Sequence, residues 1–182
     1  MNIFSGAACA AALRKIAAGD MSGLELIYEK MGRQIYTFAL GILGSEAEAE
    51  DVMQETFLRI MDHAGTWRGG QARAWIMAIT RNLALERLRG RRAFEGSVRD
   101  DGYFPPDRIE KDDIERALDS VSRDDRQIVL LRAVHRFKYS EISKITGYSE
   151  EAARKRYVRA IEKMRKTLKG EHDNERTKEN KG

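Results

Sequence analysis

The sequence KYSEISKITGYSEEAARKRYVRA occupies residues 138–160. Ile142 and Ile145 are apolar at helical spacing, which predicts a short first helix. Gly147 can adopt the positive φ of a turn that follows a helix, and Ser149 is a good N-cap for the next one. Because the second helix is basic in its first turns, the segment predicts a helix-turn-helix of the kind that enters a DNA major groove. Taken alone, it is also compatible with a helical hairpin whose basic face is solvated.

The composition around this segment favours an all-helical protein. Among the 182 residues only two are proline, while 42% are hydrophobic and 34% are charged. The length allows one or two small domains, and the net charge of +4 is a weak indication of a polyanionic partner. Charge alternates in blocks, acidic in 46–62 and 100–115 and basic in 68–92 and 126–169, which predicts several surfaces with different partners.

The single cysteine, Cys9, allows no intramolecular disulfide, as is typical of proteins in a reducing cytosol. The small, apolar start of the chain lacks the preceding Lys or Arg of a signal peptide. No apolar run approaches the roughly 20 residues that span a bilayer. We therefore expect a cytoplasmic protein without membrane insertion.

Apolar periodicity divides the chain into helices and two segments without a helical pattern. Capping-box patterns at Ser45 and Ser122 mark two helix starts, and the second opens an apolar stripe that ends at Val134. Periodicity is lost around Pro105-Pro106, which predicts a flexible linker, and the polar C-terminus predicts a mobile tail. The predicted helices before the helix-turn-helix are about 7–18, 21–43, 45–64, 72 to 90 or beyond, and 114–121, and one that starts after Ser122.

Side chains that could perform chemistry form no recognisable catalytic set. His63, His135 and His172 are scattered along the chain, and no His, Cys or Asp group has the spacing of a metal site. No glycine-rich phosphate loop follows a predicted strand. The sequence therefore predicts no catalytic residue, no metal and no cofactor, and it argues against an enzyme such as a nuclease.

Two further motifs precede the helix-turn-helix: AEDVMQETFL at residues 49–58 and AWIMAITRNLAL at residues 74–85. In this order, with a loose linker between them and the helix-turn-helix, the motifs resemble the extracytoplasmic-function (ECF) sigma factors of the sigma-70 family over about residues 13–168. The resemblance implies two small helical domains joined by a flexible acidic linker. It assigns sigma region 2 to residues 1–91, the linker to 92–110, region 4 to 111–169 and a disordered tail to 170–182.

The same resemblance implies a function without catalysis. A protein of this family is a sigma subunit that binds core RNA polymerase and directs promoter-specific transcription initiation, here in response to a stress or envelope signal. Region 2 would capture and help to melt the −10 element while region 4 reads the −35 element. The implied partners are the coiled coil and the flap of core RNA polymerase, promoter DNA, and an anti-sigma factor. The linker acids Asp100, Asp101 and Asp107 would mimic RNA near the polymerase active centre, or they would belong to a solvated tether.

Residues that match the family's contact positions fall into three groups. Carboxylates and an amide facing outward suit an Arg-rich protein surface, arginines meet phosphates or guanine, and an amide can read a base edge. The polymerase-binding group is Asp51, Gln54 and Glu55, for which a merely solvated helix face is the alternative. The −10 group is Trp67, Arg73, Arg81, Asn82, Arg87 and Arg89, and the −35 group is Arg132, Arg154, Lys155, Val158 and Arg159.

Three of these assignments have a specific physical basis. Trp67 lies in a glycine-bounded loop and is the stacking candidate, whereas Trp75 shares an apolar stripe and is expected in the core. Lys155 is expected on a phosphate because its ammonium is a compact charge. The main rival interpretation is a dimeric helix-turn-helix regulator without sigma activity, which explains the C-terminal half but leaves the two earlier motifs unexplained. An adaptor that binds only protein is a further alternative, and the basic second helix argues against it.

Overall fold

A computed structural model describes residues 6–95 and 113–179, and in these ranges the chain forms helices and turns without any strand. The predicted all-α fold of two domains is confirmed. The first domain contains α1 (Gly6–Ala17), α2 (Ser22–Leu43), α3 (Glu46–His63), a 3-10 turn (Ala64–Thr66) and α4 (Ala72–Glu95). The second contains α5 (Asp113–Asp119), α6 (Arg123–Val129), a π-helical turn (Leu130–Val134), α7 (Tyr139–Thr146) and α8 (Glu150–Glu179).

Local capping chemistry determines several of these boundaries. The Ser45 hydroxyl accepts a hydrogen bond from the Glu48 amide at 3.4 Å, so α3 begins where its capping box predicted. Ser122 caps α6 in the same way, accepting from the Asp125 amide at 3.2 Å. Gly147 has φ of 80°, which lets the chain turn from α7 into α8. These three predictions are confirmed.

The core of the first domain forms around α2. Its residues Ile27, Met31, Ile35 and Phe38 recur at threes and fours and have no exposed surface, so one face of the helix is fully apolar. Cys9 of α1 lies against this face, and its thiol donates to the Met31 sulfur at 3.8 Å. Burial raises the pKa of the Cys9 thiol to about 12, so the sulfur stays protonated and behaves as a small apolar group.

In the second domain a buried arginine joins α5 to α6. Arg126 donates from Nη2 to the Leu118 carbonyl at 2.7 Å and to an Asp119 oxygen at 2.6 Å, while Nε donates to the same carbonyl at 3.0 Å. The Leu118 carbonyl belongs to the last turn of α5, where the Val121 amide donates to it at 3.4 Å, so Arg126 supplies its shorter hydrogen bonds. Arg126 is only 4% exposed, so it belongs to the interior of this domain and not to the basic surface that the sequence indicated.

The two domains pack against each other along what we call the domain seam, formed by residues 34–41 and 71–81 of the first domain and 127–140 of the second. Apolar side chains of both domains, among them Phe38 and Phe137, belong to one continuous buried cluster. The sequence predicted two separate domains on a flexible linker, and it did not predict this contact. Residues 96–112, which carry most of the predicted linker with its acidic side chains, lie outside the described residues.

Three sequence predictions differ from the structure. Val134 was expected in an apolar stripe but is 58% exposed, because a π-helical bond from the His135 amide to the Leu130 carbonyl, 2.9 Å long, rotates the chain there. Helix α4 continues to Glu95, past the predicted start of the linker. Helix α8 continues to Glu179, although a tail was predicted from residue 170. Adding residues to an existing helix requires no new nucleus, and this segment contains no proline.

None of the helices in the described part of the chain is both long enough and apolar enough to cross a membrane.

Candidate polymerase and nucleic-acid interfaces

The predicted polymerase-binding residues lie on the outer face of α3. Asp51 and Gln54 are exposed, and Glu55 is partly exposed. Together with Leu58, which is 51% exposed, they line a cleft of about 460 Å³ between α3 and α4. The structure therefore brings the three predicted residues together at a groove that combines carboxylates with an apolar side chain.

Two of the three carboxylates that line this cleft are already engaged with arginines of the same chain. Asp51 accepts from Arg87 Nη2 of α4 at 2.7 Å, and Glu55 accepts from Arg59 Nε at 2.8 Å. The sequence placed Asp51 and Arg87 in different interfaces, one for polymerase and one for DNA, whereas the structure pairs them. Both pairs are substantially exposed, so each contributes little to stability and can rearrange when a partner arrives.

The −10 group on α4 divides into an exposed and a covered part. Asn82, Arg87 and Arg89 are exposed. Arg73 and Arg81 instead point into the domain seam. The structure thus brings the exposed three together on one helix and places the other two against the second domain.

The covered arginines each contact residues of the second domain. The Arg73 guanidinium lies over the Phe137 ring at 4.5 Å, a cation–π contact. Arg81 Nε donates to Gln127 Oε1 at 2.6 Å. Burial lowers the pKa of the Arg81 guanidinium, and the charge of Asp124 and the Tyr148 hydroxyl oppose this shift. Arginine remains charged under these conditions, so the seam holds a partly desolvated cation at Arg81.

Trp67, the predicted stacking residue, follows the 3-10 turn and is half-buried. The Arg14 guanidinium of α1 lies 5.6 Å from the centre of its ring. Trp75 is also half-buried, and both tryptophans pack against the buried core. Trp67 directly precedes the loop at residues 68–71, all of which except Gln71 are exposed.

The −35 group is concentrated on one face of α8. Arg154, Lys155, Val158 and Arg159 are all exposed, and their spacing places them in adjacent turns of the same side of the helix. Val158 is 49% exposed, an apolar side chain in the middle of a basic surface. Lys155 forms an exposed pair with Glu151 at 2.7 Å. This face of α8 is the clearest candidate for entering a groove of DNA.

Tyr139 connects the remaining member of this group to α8. The guanidiniums of Arg132 and Arg154 both lie over its ring, 5.0 Å and 5.1 Å from the ring centre. Arg132 also donates to the Phe137 carbonyl at 3.1 Å, and the Tyr157 ring meets Tyr139 edge-on at 6.4 Å. Tyr139 thus holds two predicted DNA-contacting arginines in place. Sequence reasoning missed this tyrosine because its partners are distant in the chain and no spacing rule joins them.

Among the described residues no group of three or more His, Cys, Asp or Glu could hold a metal ion. His63 is exposed on α3, and His135 is buried where its ring meets Phe38 edge-on at 5.9 Å.

Comparison with known proteins identifies the family. The family model described as Sigma-70 region 2 matches residues 27–94, and the model described as Sigma-70, region 4 matches residues 111–164. An ECF RNA polymerase sigma factor, SigE of Mycolicibacterium smegmatis, is 30% identical over 168 residues, which are 84% of this chain and 65% of that protein. The chain belongs to the ECF sigma factors of the sigma-70 family. SigL of Mycobacterium tuberculosis (strain H37Rv) is 26% identical to this sigma factor over 84% of the chain and 92% of its own length.

Solved structures share the fold of this sigma factor. The sigma factor RpoE of Bartonella quintana, in complex with the anti-sigma factor NepR, aligns with a TM-score of 0.67 at 22% identity, over 80% of this chain and 96% of that one. CnrH in complex with the cytosolic domain of CnrY aligns with a TM-score of 0.72 at 22% identity, over 90% of this chain and 98% of that one. Both comparisons support the all-helical, two-domain architecture.

Proposed function

We propose that this chain is a sigma subunit that binds core RNA polymerase and directs it to promoters in response to a stress or envelope signal. The observation that supports this most strongly is the presence of both matched sigma-70 regions in one chain, each with an exposed candidate contact surface. The first domain offers the cleft around Asp51 and Gln54, and the second offers the basic face of α8. The function needs no chemistry from the chain itself, since polymerase performs the reaction.

In this proposal the cleft on α3 receives a basic surface of polymerase. Carboxylates that accept from arginine form directional, charge-assisted hydrogen bonds, and Leu58 adds apolar contact at the same place. Arg87 would give up its pair with Asp51 when polymerase docks, which frees its guanidinium for a phosphate of the promoter. The pairing of Asp51 with Arg87 therefore fits a chain in which Asp51 later binds polymerase and Arg87 later binds DNA.

Asp51→Asn should weaken binding to core polymerase about tenfold. A hydrogen bond to a charged group contributes about 1.5–3 kcal/mol, and a tenfold change corresponds to about 1.4 kcal/mol. The measurement is the affinity for purified core polymerase by fluorescence anisotropy or surface plasmon resonance. Asp62→Asn is the matched control, since Asp62 is also exposed on α3 but lies outside the cleft. Equal losses in the two variants would show that charge alone matters and not this site.

The second domain would read the −35 element with the exposed face of α8. Arginine can donate two parallel hydrogen bonds to guanine in the major groove, and Val158 can contact a thymine methyl group. Tyr139 would restrict the motion of Arg132 and Arg154, so that less freedom is lost when they bind. The exposed members of the −10 group, with Trp67, would hold the opened strand by phosphate contacts and stacking.

Arg154→Ala should weaken specific −35 binding about tenfold to a hundredfold and relax the base preference, because it removes about 1–3 kcal/mol of direct readout. Lys155→Ala, next to it on the same face, should weaken binding similarly for cognate and mutated sequences and reduce the salt dependence. Competition binding with promoter duplexes that carry single base-pair changes measures both effects. If the two variants lose cognate and mutated sites in the same proportion, Arg154 does not read a base.

Run-off transcription tests the proposed function as a whole. Core polymerase should initiate at a cognate promoter only when this chain is added. A dimeric regulator without sigma activity would instead bind duplex DNA in the absence of polymerase and leave start-site choice unchanged. By analogy with the complexes of RpoE with NepR and of CnrH with CnrY, we also propose that an anti-sigma protein holds this chain inactive in the cytoplasm.

A further inference from the structure

The segment between the π-helical turn and α7 presents two cations to solvent. Along residues 134–138 exposed and buried side chains alternate, with Arg136 and Lys138 exposed and His135 and Phe137 buried. The two buried rings pack within the domain seam. Because the exposed side chains alternate with the buried ones, the two cations project away from the first domain.

Arg136 is held in a backbone conformation that disfavours a side chain. Its φ is 58°, and among the described residues it is the only one other than glycine with a positive φ. In this left-handed region Cβ comes too close to the following carbonyl oxygen, and glycine avoids the resulting strain because it has no Cβ. The position is therefore of a glycine type, although it carries a long charged side chain.

Hydrogen bonds on both sides of Arg136 impose this conformation. The Phe137 amide donates to the Leu131 carbonyl at 2.9 Å, and the Lys138 amide donates to Glu141 Oε2 at 2.8 Å. Neighbouring contacts that determine the backbone are what allow a strained residue to persist. The Arg136 guanidinium takes no part in them and forms no ion pair within the described part of the chain. The turn is thus built without the arginine side chain, which is available for a partner.

This strained turn adjoins the −35 group. Arg132 donates to the Phe137 carbonyl, one residue beyond Arg136, at 3.1 Å. The guanidiniums of Arg132 and Arg154 both lie over the Tyr139 ring. Arg136 is three residues before Tyr139, so their Cα atoms are at most about 11 Å apart. The major groove is about 12 Å wide, so a cation at this distance from the base-reading face of α8 is suited to a phosphate at the edge of the groove.

We propose that Arg136 binds a backbone phosphate of duplex DNA at the edge of the groove that α8 enters, and that its strained backbone serves to place a guanidinium there. The inference rests on the proposed function, because it takes the exposed face of α8 as a DNA-binding surface. Lys138 adds a second cation on the same side of the turn. A phosphate contact carries no sequence information, so Arg136 would fix the position of α8 on the duplex and leave the choice of base to Arg154.

Arg136→Gly tests both parts of this proposal, because it changes stability and DNA binding in opposite directions. Glycine adopts the same φ without strain, so the melting temperature of the chain should rise by about 2–4 °C. The variant also lacks the guanidinium, so DNA binding should weaken. Arg136→Lys keeps the positive charge and should retain most of the affinity, since a phosphate accepts a lysine ammonium as a point charge. Arg33→Ala is the matched control, because it removes the same charge from an exposed position of α2.

DNA binding is measured by fluorescence anisotropy on the full chain without polymerase, over a range of salt concentrations. The probe is a short, labelled duplex of mixed sequence, because a phosphate contact does not depend on the bases. Each phosphate contact contributes about 0.9 to the slope of log affinity against log salt concentration, which corresponds to about eightfold between 1 M and 0.1 M salt. Arg136→Gly should therefore reduce the slope by about 0.9 and lower the affinity about eightfold at 0.1 M salt. Arg33→Ala should alter neither quantity.

The possible results separate this inference from its alternatives and from the proposed function. A higher melting temperature with unchanged affinity and slope would overturn the phosphate contact and leave Arg136 as a turn residue. A melting temperature that does not rise would overturn the assigned strain. An unchanged slope together with weaker binding to purified core polymerase would place the guanidinium on a protein surface and overturn the proposal as well.

Run-off transcription with the unchanged chain is read independently of these measurements. A chain whose salt slope falls with Arg136→Gly but that never supports initiation would contradict the sigma function and leave the phosphate contact intact.

Discussion

Arg126→Ala should lower the free energy of unfolding of the second domain by about 3 kcal/mol. The side chain is almost fully buried and holds the end of α5 against α6 through the Leu118 carbonyl and Asp119. Alanine would remove a donor from both acceptors and leave a cavity between the two helices. Burial lowers the pKa of this guanidinium while Asp119 opposes the shift, which is the balance expected of a charge stabilised by one specific partner.

Urea unfolding followed by circular dichroism measures this loss. Lys163→Ala is the matched control because Lys163 is an exposed cation on α8, and such a change should stay within about 0.5 kcal/mol. Arg126→Lys should rescue only part of the loss, since a lysine ammonium cannot reproduce the two-nitrogen contact with the Leu118 carbonyl. If Arg126→Ala and Lys163→Ala were equally stable, Arg126 would not be a structural residue.

Acidification should weaken the packing of the two domains by up to about 3 kcal/mol. Burial, assisted by the positive charge of Arg73, lowers the pKa of His135 from 6.5 to about 4. The His135 imidazole contacts the Phe38 ring of α2, and the Gln34 amide of α2 donates to the His135 backbone carbonyl. The charged group that acts on the imidazole is Arg73 of α4. The neutral form is therefore the one that fits the seam, and each pKa unit is about 1.4 kcal/mol.

The direction of this pH effect follows from the lowered pKa. The contribution of His135 to the packing of the two domains is fully present above pH 6.5 and is lost progressively as pH falls toward about 4. The radius of gyration at about pH 7.5 and at about pH 5 measures the change. His135→Leu should make the radius insensitive to pH in this window. His63→Leu is the control, since His63 is exposed and lies outside the seam, and this variant should keep the change in radius with pH. Loss of that change in His63→Leu would show that the effect does not come from His135.

Features determined by neighbouring residues were predictable from the sequence. Ser45 and Ser122 are caps because a hydroxyl reaches an amide three residues later, and Gly147 turns because it lacks a Cβ. The exposed face at 154–159 likewise follows from helical spacing within α8. The family resemblance, which rested on two such local motifs, was confirmed by the family comparisons.

Features that depend on contacts between distant residues were not predictable in this way. Arg73 and Arg81 look like solvated cations of α4, and only the position of the second domain shows that they are covered. Arg126 looked like the first residue of a basic surface, although two acceptors from the preceding helix bury it. The close approach of Leu130 to Gly41, 89 positions away in the chain, has no local signal either.

The buried thiol of Cys9 has a practical consequence for experiments on this protein. Maleimides and disulfide reagents react with the thiolate, a species that scarcely exists at a sulfur with a pKa of about 12. A dye or spin label could therefore be attached to cysteines newly placed on each domain without first removing the native one. The distance between two such probes would report, in a single molecule, how far the halves of the chain move apart when polymerase arrives.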